Sequence, residues 1–256
     1  MPALEIDLVP CLKDNYAYLL RDPATEATGV VDPSEAEPVL RALDRRGWRL
    51  TYILNTHHHP DHTGGNRALK AKTGAIVVGP KPDRARIPEI DVALDDGERY
   101  RLGEAEAEVI FIPGHTRGHI AFWFAASRAL FCGDTLFAMG CGRLFEGTPQ
   151  QMWTSLGRLR MLPPETRVYC GHEYTQANAR FALTVEPAND ALRRRAAAVD
   201  AARSRGQPTI PSTIGEERAT NPFLRADERS LAENLGLAGA DPVAVFAEVR
   251  RRKDHF

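Results

Sequence analysis

Apolar residues in the first two thirds of the chain come in short runs rich in β-branched and aromatic residues, each closed by Gly, Pro, Asn or Asp. Such runs predict strands at YAYLLRD (16–22), TGVVDP (28–33), RLTYILNT (49–56), AIVVGP (75–80), AEVIFIPG (107–114), IAFWFA (120–125), RALFCGD (128–134) and TRVYCGH (166–172). Between them EAEPVLRALDRRG and GGNRALKAKTG read as helices that stop at glycine, and TPQQMWTSLGRLRML reads as a third. Strands interleaved with helices predict an α/β layered domain. From Tyr174 the strand signals cease. YTQANARFALTVEP, NDALRRRAAAVDAARSRG and DPVAVFAEVRRRK predict helices, with a Pro-marked loop at QPTIPST. The change of period places a boundary near residue 173, giving an α/β domain over 1–173 and a helical domain over 174–256.

Composition narrows the function classes. At 256 residues, 43% hydrophobic and 26% charged, the chain has the make-up of a folded protein with one sizeable domain or two smaller ones. A formal net charge of −1 and a pI near 6.7 supply no overall basic field, which argues against nucleic acid and anionic membrane as partners. The start, MPALEIDLVPCLKDNYAYLL, has no basic flank leading into a continuous apolar core, and no stretch approaches the ~20 apolar residues of a membrane span; a cytoplasmic protein is expected. Cys11, Cys132, Cys141 and Cys170 form no CxxC pair, so reduced thiols are expected. Residues 174–256 carry a charge of about +2, gathered at Arg250, Arg251, Arg252 and Lys253.

The chemistry concentrates in THHHPDH, residues 56–62, where four of the eight histidines fall together. Crowded imidazoles repel once protonated, so a cation among them is the natural reason for the cluster. If the strand LTYILNT runs on, His57 and His59 point to one side and His58 to the other, as a packed or ligand-supporting residue. Pro60 ends regular pairing, and Asp61-His62 follow at a turn. Three later strand ends repeat one design, a glycine before a polar residue: Gly114-His115, Gly133-Asp134 and Gly171-His172. Glycine permits a tight turn there. The candidate ligands are thus His57, His59, Asp61, His62, His115, Asp134 and His172. Seven donors exceed one ion's needs and suit two divalent ions sharing a carboxylate. His119 is expected to orient a ligand.

The HxHxDH run, PGHTRGH, CGDTLF and GHEY resemble the metallo-β-lactamase superfamily. LKDNYAYLL, GDTLFAMGCGRLFEGT, VYCGHEYTQANARFA, NPFLR and VRRRKDHF resemble, within it, the hydroxyacylglutathione hydrolases, also called glyoxalase II, over nearly the whole chain. The resemblance implies an αββα sandwich followed by a helical domain. It also implies hydrolysis of the thioester S-D-lactoylglutathione to D-lactate and glutathione, the second step of methylglyoxal detoxification. One ion would be held by His57, His59 and His115, the other by Asp61, His62 and His172, with Asp134 bridging. Glutathione contacts would fall on Arg143, Phe145, Tyr174, Arg250 and Lys253. Two positions depart from the pattern, Arg143 standing where lysine is common and Phe145 where a tyrosine hydroxyl is common.

That chemistry suits these residues. Zinc lowers the pKa of bound water towards ~7, so a hydroxide held between two ions is available to attack the thioester, with Asp61 accepting a proton. A thiolate, with a parent pKa near ~8.5, leaves without strong acid help. Zinc is the expected ion; iron and manganese are compatible with the same donors. A monomer is expected. The competing readings are a mononuclear iron enzyme of the persulfide dioxygenase kind, and a non-catalytic metal-binding module, which would require a missing ligand.

Overall fold

β1 (Glu5–Cys11) and β2 (Asn15–Arg21) open the fold as an antiparallel pair in which Glu5 faces Arg21 and Cys11 faces Asn15. The computed structural model describes residues 3–256 and divides into two units: one runs to Phe111 and includes Arg117–Gly133, the other comprises Ile112–Thr116 and Asp134–Phe256. This division by contacts is a different cut from the one the change of period places near residue 173.

In the first unit β2 is followed by β3 (Thr28–Val31), α1 (Ala36–Arg46), β4 (Tyr52–Leu54), α2 (Pro60–Thr63), α3 (Asn66–Thr73), β5 (Ile76–Pro80) and β6 (Val92–Leu94). Six strands form one sheet in the order β1 to β6, antiparallel as far as β3 and parallel from β3 to β6. Parallel neighbours need a crossover, and α1 and α3 supply two of them. α1 places Val39, Ala42 and Leu43 on one stripe and stops at Gly47, whose φ of 64° gives the left-handed cap. That stripe and Leu69 of α3 pack on Ala17, Leu19, Val30, Ile53 and Val77. The opposite face of β2 is equally dry: Tyr18 meets Phe131 with ring centroids 5.6 Å apart. Phe131 belongs to the meander of β7 (Arg99–Leu102), β8 (Ala105–Phe111), β9 (Ile120–Phe124) and β10 (Ala129–Gly133), antiparallel throughout. The unit is therefore layered helix, sheet, sheet, as the α/β pattern requires.

The second unit holds β11 (Leu136–Phe137), β12 (Gly140–Cys141), α4 (Pro149–Arg160), β13 (Arg167–Cys170), α5 (Thr175–Val185), α6 (Asp190–Ser204), β14 (Ser212–Thr213), α7 (Ile214–Thr220), α8 (Arg229–Asn234) and α9 (Pro242–Asp254). Capping boxes start two of its helices, Thr148 with Gln151 on α4 and Thr213 with Glu216 on α7. Ala179 and Ala182 of α5 pack against Leu192, Ala196 and Val199 of α6, closing over Met139. Strand structure does not end at Tyr174 as the pattern suggests, because Ser212–Thr213 pairs with β13. All four cysteines are buried thiols, and among the described residues no helix is long and apolar enough to cross a membrane.

Candidate metal centre and substrate site

The histidine run lies beyond β4, not on it. The ladder ends at Leu54, and Asn55 prolongs the extended backbone by donating its N–H to Val78 O at 2.8 Å. Asp61 and His62 lie in the single helical turn of α2, with Pro60 as its first residue, not in a non-helical turn. A proline whose missing N–H is not needed there starts a helix as readily as it stops a strand. Asn55 then ties the loop shut: its Nδ2 donates to His62 O at 3.1 Å, and Asn66 Nδ2 donates to its Oδ1 at 2.7 Å.

Asp32, at the end of β3 with φ 47° and almost fully buried, anchors the ligands from behind. It accepts the N–H of Thr56 at 2.8 Å, the Thr56 hydroxyl at 2.6 Å and His62 Nδ1 at 3.1 Å. Because the Thr56 hydroxyl donates to Asp32, it accepts from His57 Nδ1 at 3.0 Å. Both rings thereby carry their proton on Nδ1 and present Nε2 as a lone pair, the arrangement that a carboxylate or hydroxyl behind a ligating imidazole enforces. Asp32, on the protonated side of His62, orients and does not ligate. His57 Nε2 and His59 Nδ1 converge to 3.2 Å, and Asp61 Oδ2 stands 3.7 Å from His62 Nε2. Asn15 Nδ2 holds Asp61 through both its main-chain O and Oδ2, at 3.1 Å each. His119 stacks on His57, centroids 4.5 Å apart and planes 15° apart. His58 turns to Asp83 Oδ2, 2.8 Å away, with Arg86 Nη1 3.1 Å from its other nitrogen.

In the second unit the donors converge on Asp134, whose Oδ2 lies 3.6 Å from His115 Nε2 and 3.3 Å from His172 Nε2. His115 Nδ1 donates to Arg143 O at 2.8 Å, fixing the same tautomer as in the first unit. His115 sits beyond the end of β8 and depends on Gly114, at φ 150°; a side chain on Gly142 would meet Asp134 O at 2.0 Å. Two aromatic rings flank these histidines: Phe145 lies 5.2 Å from His115, and Tyr174 stacks on His172 at 4.6 Å. Each unit thus holds at least one imidazole of fixed tautomer beside a carboxylate, a donor set that fits a divalent cation.

Two of the candidate glutathione cations, Arg143 and Arg250, share one acid. Asp254 Oδ1 is 2.8 Å from Arg250 Nη2 and 3.8 Å from Arg143 Nε. Arg250, 5% exposed, also donates to Cys141 O at 2.8 Å and lies over the Phe223 ring. Burial, helped by the charges of Arg250 and Arg143, pulls Lys253 below the ordinary lysine pKa, while its ammonium lies over Phe181 and Phe256. A solvated helix end is excluded for Arg250. Burial pushes the neighbouring Cys141 thiol up to about 11, so it stays neutral.

The metallo-beta-lactamase superfamily model matches residues 13–172, and the hydroxyacylglutathione hydrolase C-terminus model matches 173–256. The hydroxyacylglutathione hydrolase of Methylococcus capsulatus is 62% identical over 253 residues, covering 99% of both chains. The chain belongs to the hydroxyacylglutathione hydrolase family of the metallo-beta-lactamase superfamily. Among solved structures, ETHE1 from Myxococcus xanthus is similar with a TM-score of 0.67, 26% identity and full coverage of both chains. TTHA1623 in a di-iron-bound form is similar with a TM-score of 0.61 and 28% identity, over 84% of this chain and 98% of its own. For a member of this family, sequence reasoning missed Asp32, Thr56, Asn15 and Asp254, which act on site residues from behind. The only signal was their position, Asp32 at a strand end in VDP and Asn15 within LKDNY.

Proposed function

We propose that the chain hydrolyses S-2-hydroxyacylglutathiones, with S-D-lactoylglutathione as the reference substrate, to a 2-hydroxy acid and glutathione. The full-length identity to a hydroxyacylglutathione hydrolase carries this reading. Two divalent ions per chain are proposed, His57, His59 and His115 holding one, Asp61, His62 and His172 the other, and Asp134 shared. Zinc is the first candidate, and the di-iron form of TTHA1623 makes iron a second. When bound, such ions lower the pKa of water towards ~7 and stabilise negative charge on a carbonyl oxygen.

The protein groups do the remainder. Asp32 and Thr56 hold His57 and His62 with Nε2 unprotonated, and Asn15 fixes Asp61 to accept a proton as water is activated. The departing thiolate needs no acid, its parent pKa being near ~8.5. Arg143, Arg250 and Lys253 outnumber Asp254 and supply local positive charge for the two carboxylates of glutathione. Phe145 and Tyr174, 62% and 38% exposed, offer apolar surface beside His115 and His172. A monomer in the cytoplasm, with its modules joined at residue 173, completes the reading.

The deciding experiment incubates metal-loaded protein with S-D-lactoylglutathione and measures released thiol and D-lactate. Equimolar release supports the assignment, and the absence of turnover in metal-replete protein would overturn it.

A further inference from the structure

The NPFLR motif and the helix before it supply none of the proposed metal donors or substrate contacts, yet they carry a buried, multiply bonded polar cluster in the second unit. Its target is the hairpin of β11 and β12, where Leu136 faces Cys141 and Phe137 faces Gly140. Two residues per strand cannot hold a hairpin by themselves, and Met139 at its turn has φ 53°, a conformation that residues with a side chain adopt rarely. Three side chains from helices and one from the residue that caps α7 hold it. Asn221 Nδ2 lies 3.0 Å from Phe137 O, Gly140 O and Glu217 Oε2, sharing two hydrogens among three acceptors. Glu217 Oε2 accepts the N–H of Met139 at 2.8 Å, and Arg195 Nη2 balances its charge at 2.5 Å. Asn178 Nδ2 donates to Ala138 O at 3.1 Å, and Arg250 donates to Cys141 O. Glu217 and Asn221 are fully buried and Asn178 nearly so. Every residue from Phe137 to Cys141 therefore has a main-chain group held by a side chain.

Just beyond this segment stand Arg143 and Phe145. We infer that Asn221, Glu217 and Asn178 are positioning residues for substrate specificity: by clamping the hairpin backbone they set where Arg143 and Phe145 meet the glutathione moiety. The inference rests on the proposed glutathione thioester substrate. A clamp with a merely structural role would change stability and leave binding alone.

The test compares metal-loaded Asn221→Ala and the milder Asn178→Ala with the parent. The hairpin peptide should exchange its amide hydrogens about tenfold faster or more. Affinity for a non-hydrolysable S-alkylglutathione and KM for S-D-lactoylglutathione should weaken about five- to twentyfold, with kcat and the hydrolysis of a small thioester within about twofold. Parent-like hairpin exchange in both variants would overturn the inference. So would faster exchange with unchanged S-alkylglutathione affinity, or equal losses on both thioesters. If Asn221→Ala does not fold, Asn178→Ala decides by the same criteria. Failure of the parent to turn over S-D-lactoylglutathione would sink the proposed activity, while S-alkylglutathione binding and exchange would still judge the clamp.

Discussion

The two units bring candidate ligands together by opposite means. In the first, His57, His59, Asp61 and His62 are neighbours in sequence, and the chain needs only a loop and one helical turn to gather them. In the second, His115, Asp134 and His172 are far apart along the chain, and each arrives singly at the end of a loop or strand to meet at Asp134. A local cluster can be read from a sequence as a motif, whereas a dispersed one becomes visible only through the repeated Gly-His and Gly-Asp endings. The same contrast holds behind the ligands. The first set is backed by a buried carboxylate, Asp32, and the second by a main-chain carbonyl, that of Arg143.

Removing the hub of the dispersed set should have the largest effect. Asp134→Ala takes away the group that both His115 and His172 face, and kcat/KM should fall by more than about 100-fold, with bound metal reduced. Elemental analysis alongside steady-state kinetics checks this; full metal content with parent activity would break the comparison. Next comes the anchor of the local set. Asp32→Ala frees Nδ1 of His62 and the Thr56 hydroxyl together, and metal affinity should drop about 10–100-fold while the seven proposed ligands remain, as measured by competition with a chelator.

Legibility divides along the same line. Strands that are apolar on both faces, such as β2 and β10, match the expected 16–22 and 128–134 almost residue for residue. β1, with exposed and half-buried positions and a proline, and β7, with two arginines, offer no apolar run to find. α2, α7 and α8 are too short to show a helical period. Pro60 reads as a breaker because its role as a first helical residue depends on the conformation of the residues after it. His57 and His59 do converge, although through a loop and not through strand alternation. Asp254 could not be foreseen at all, since nothing in KDHF separates a carboxylate that pairs with two arginines from a solvated one.

The basic cluster sharpens the comparison at the substrate end. Charge removal at both Arg250 and Lys253 should lower kcat/KM for glutathione thioesters, each charge-assisted contact contributing about 1.5–3 kcal/mol when desolvated, while a small thioester is spared. Arg250 should matter more, being the more buried. Lys253 adds a pH signature. Its pKa is lowered on folding, so its charge is lost, as pH rises, before an ordinary lysine would lose it. Across that window the unfolded chain binds more protons, so this group makes stability rise with pH while glutathione affinity falls. Lys253→Arg should flatten the affinity profile; an unchanged alkaline slope would assign it elsewhere. The smallest effect is expected at His58, which faces Asp83 and Arg86. His58→Ala should cost about 1–3 kcal/mol in thermal or denaturant unfolding and leave the metal-to-protein ratio unchanged.

The central claim, that the local and dispersed sets together serve two ions on which thioester hydrolysis depends, is tested most directly by titrating metal-free protein with zinc while measuring S-D-lactoylglutathione hydrolysis and bound metal. No activity without metal, and saturation at two ions per chain, are the expected results. A plateau at one ion, or turnover by verified metal-free protein, would contradict the claim.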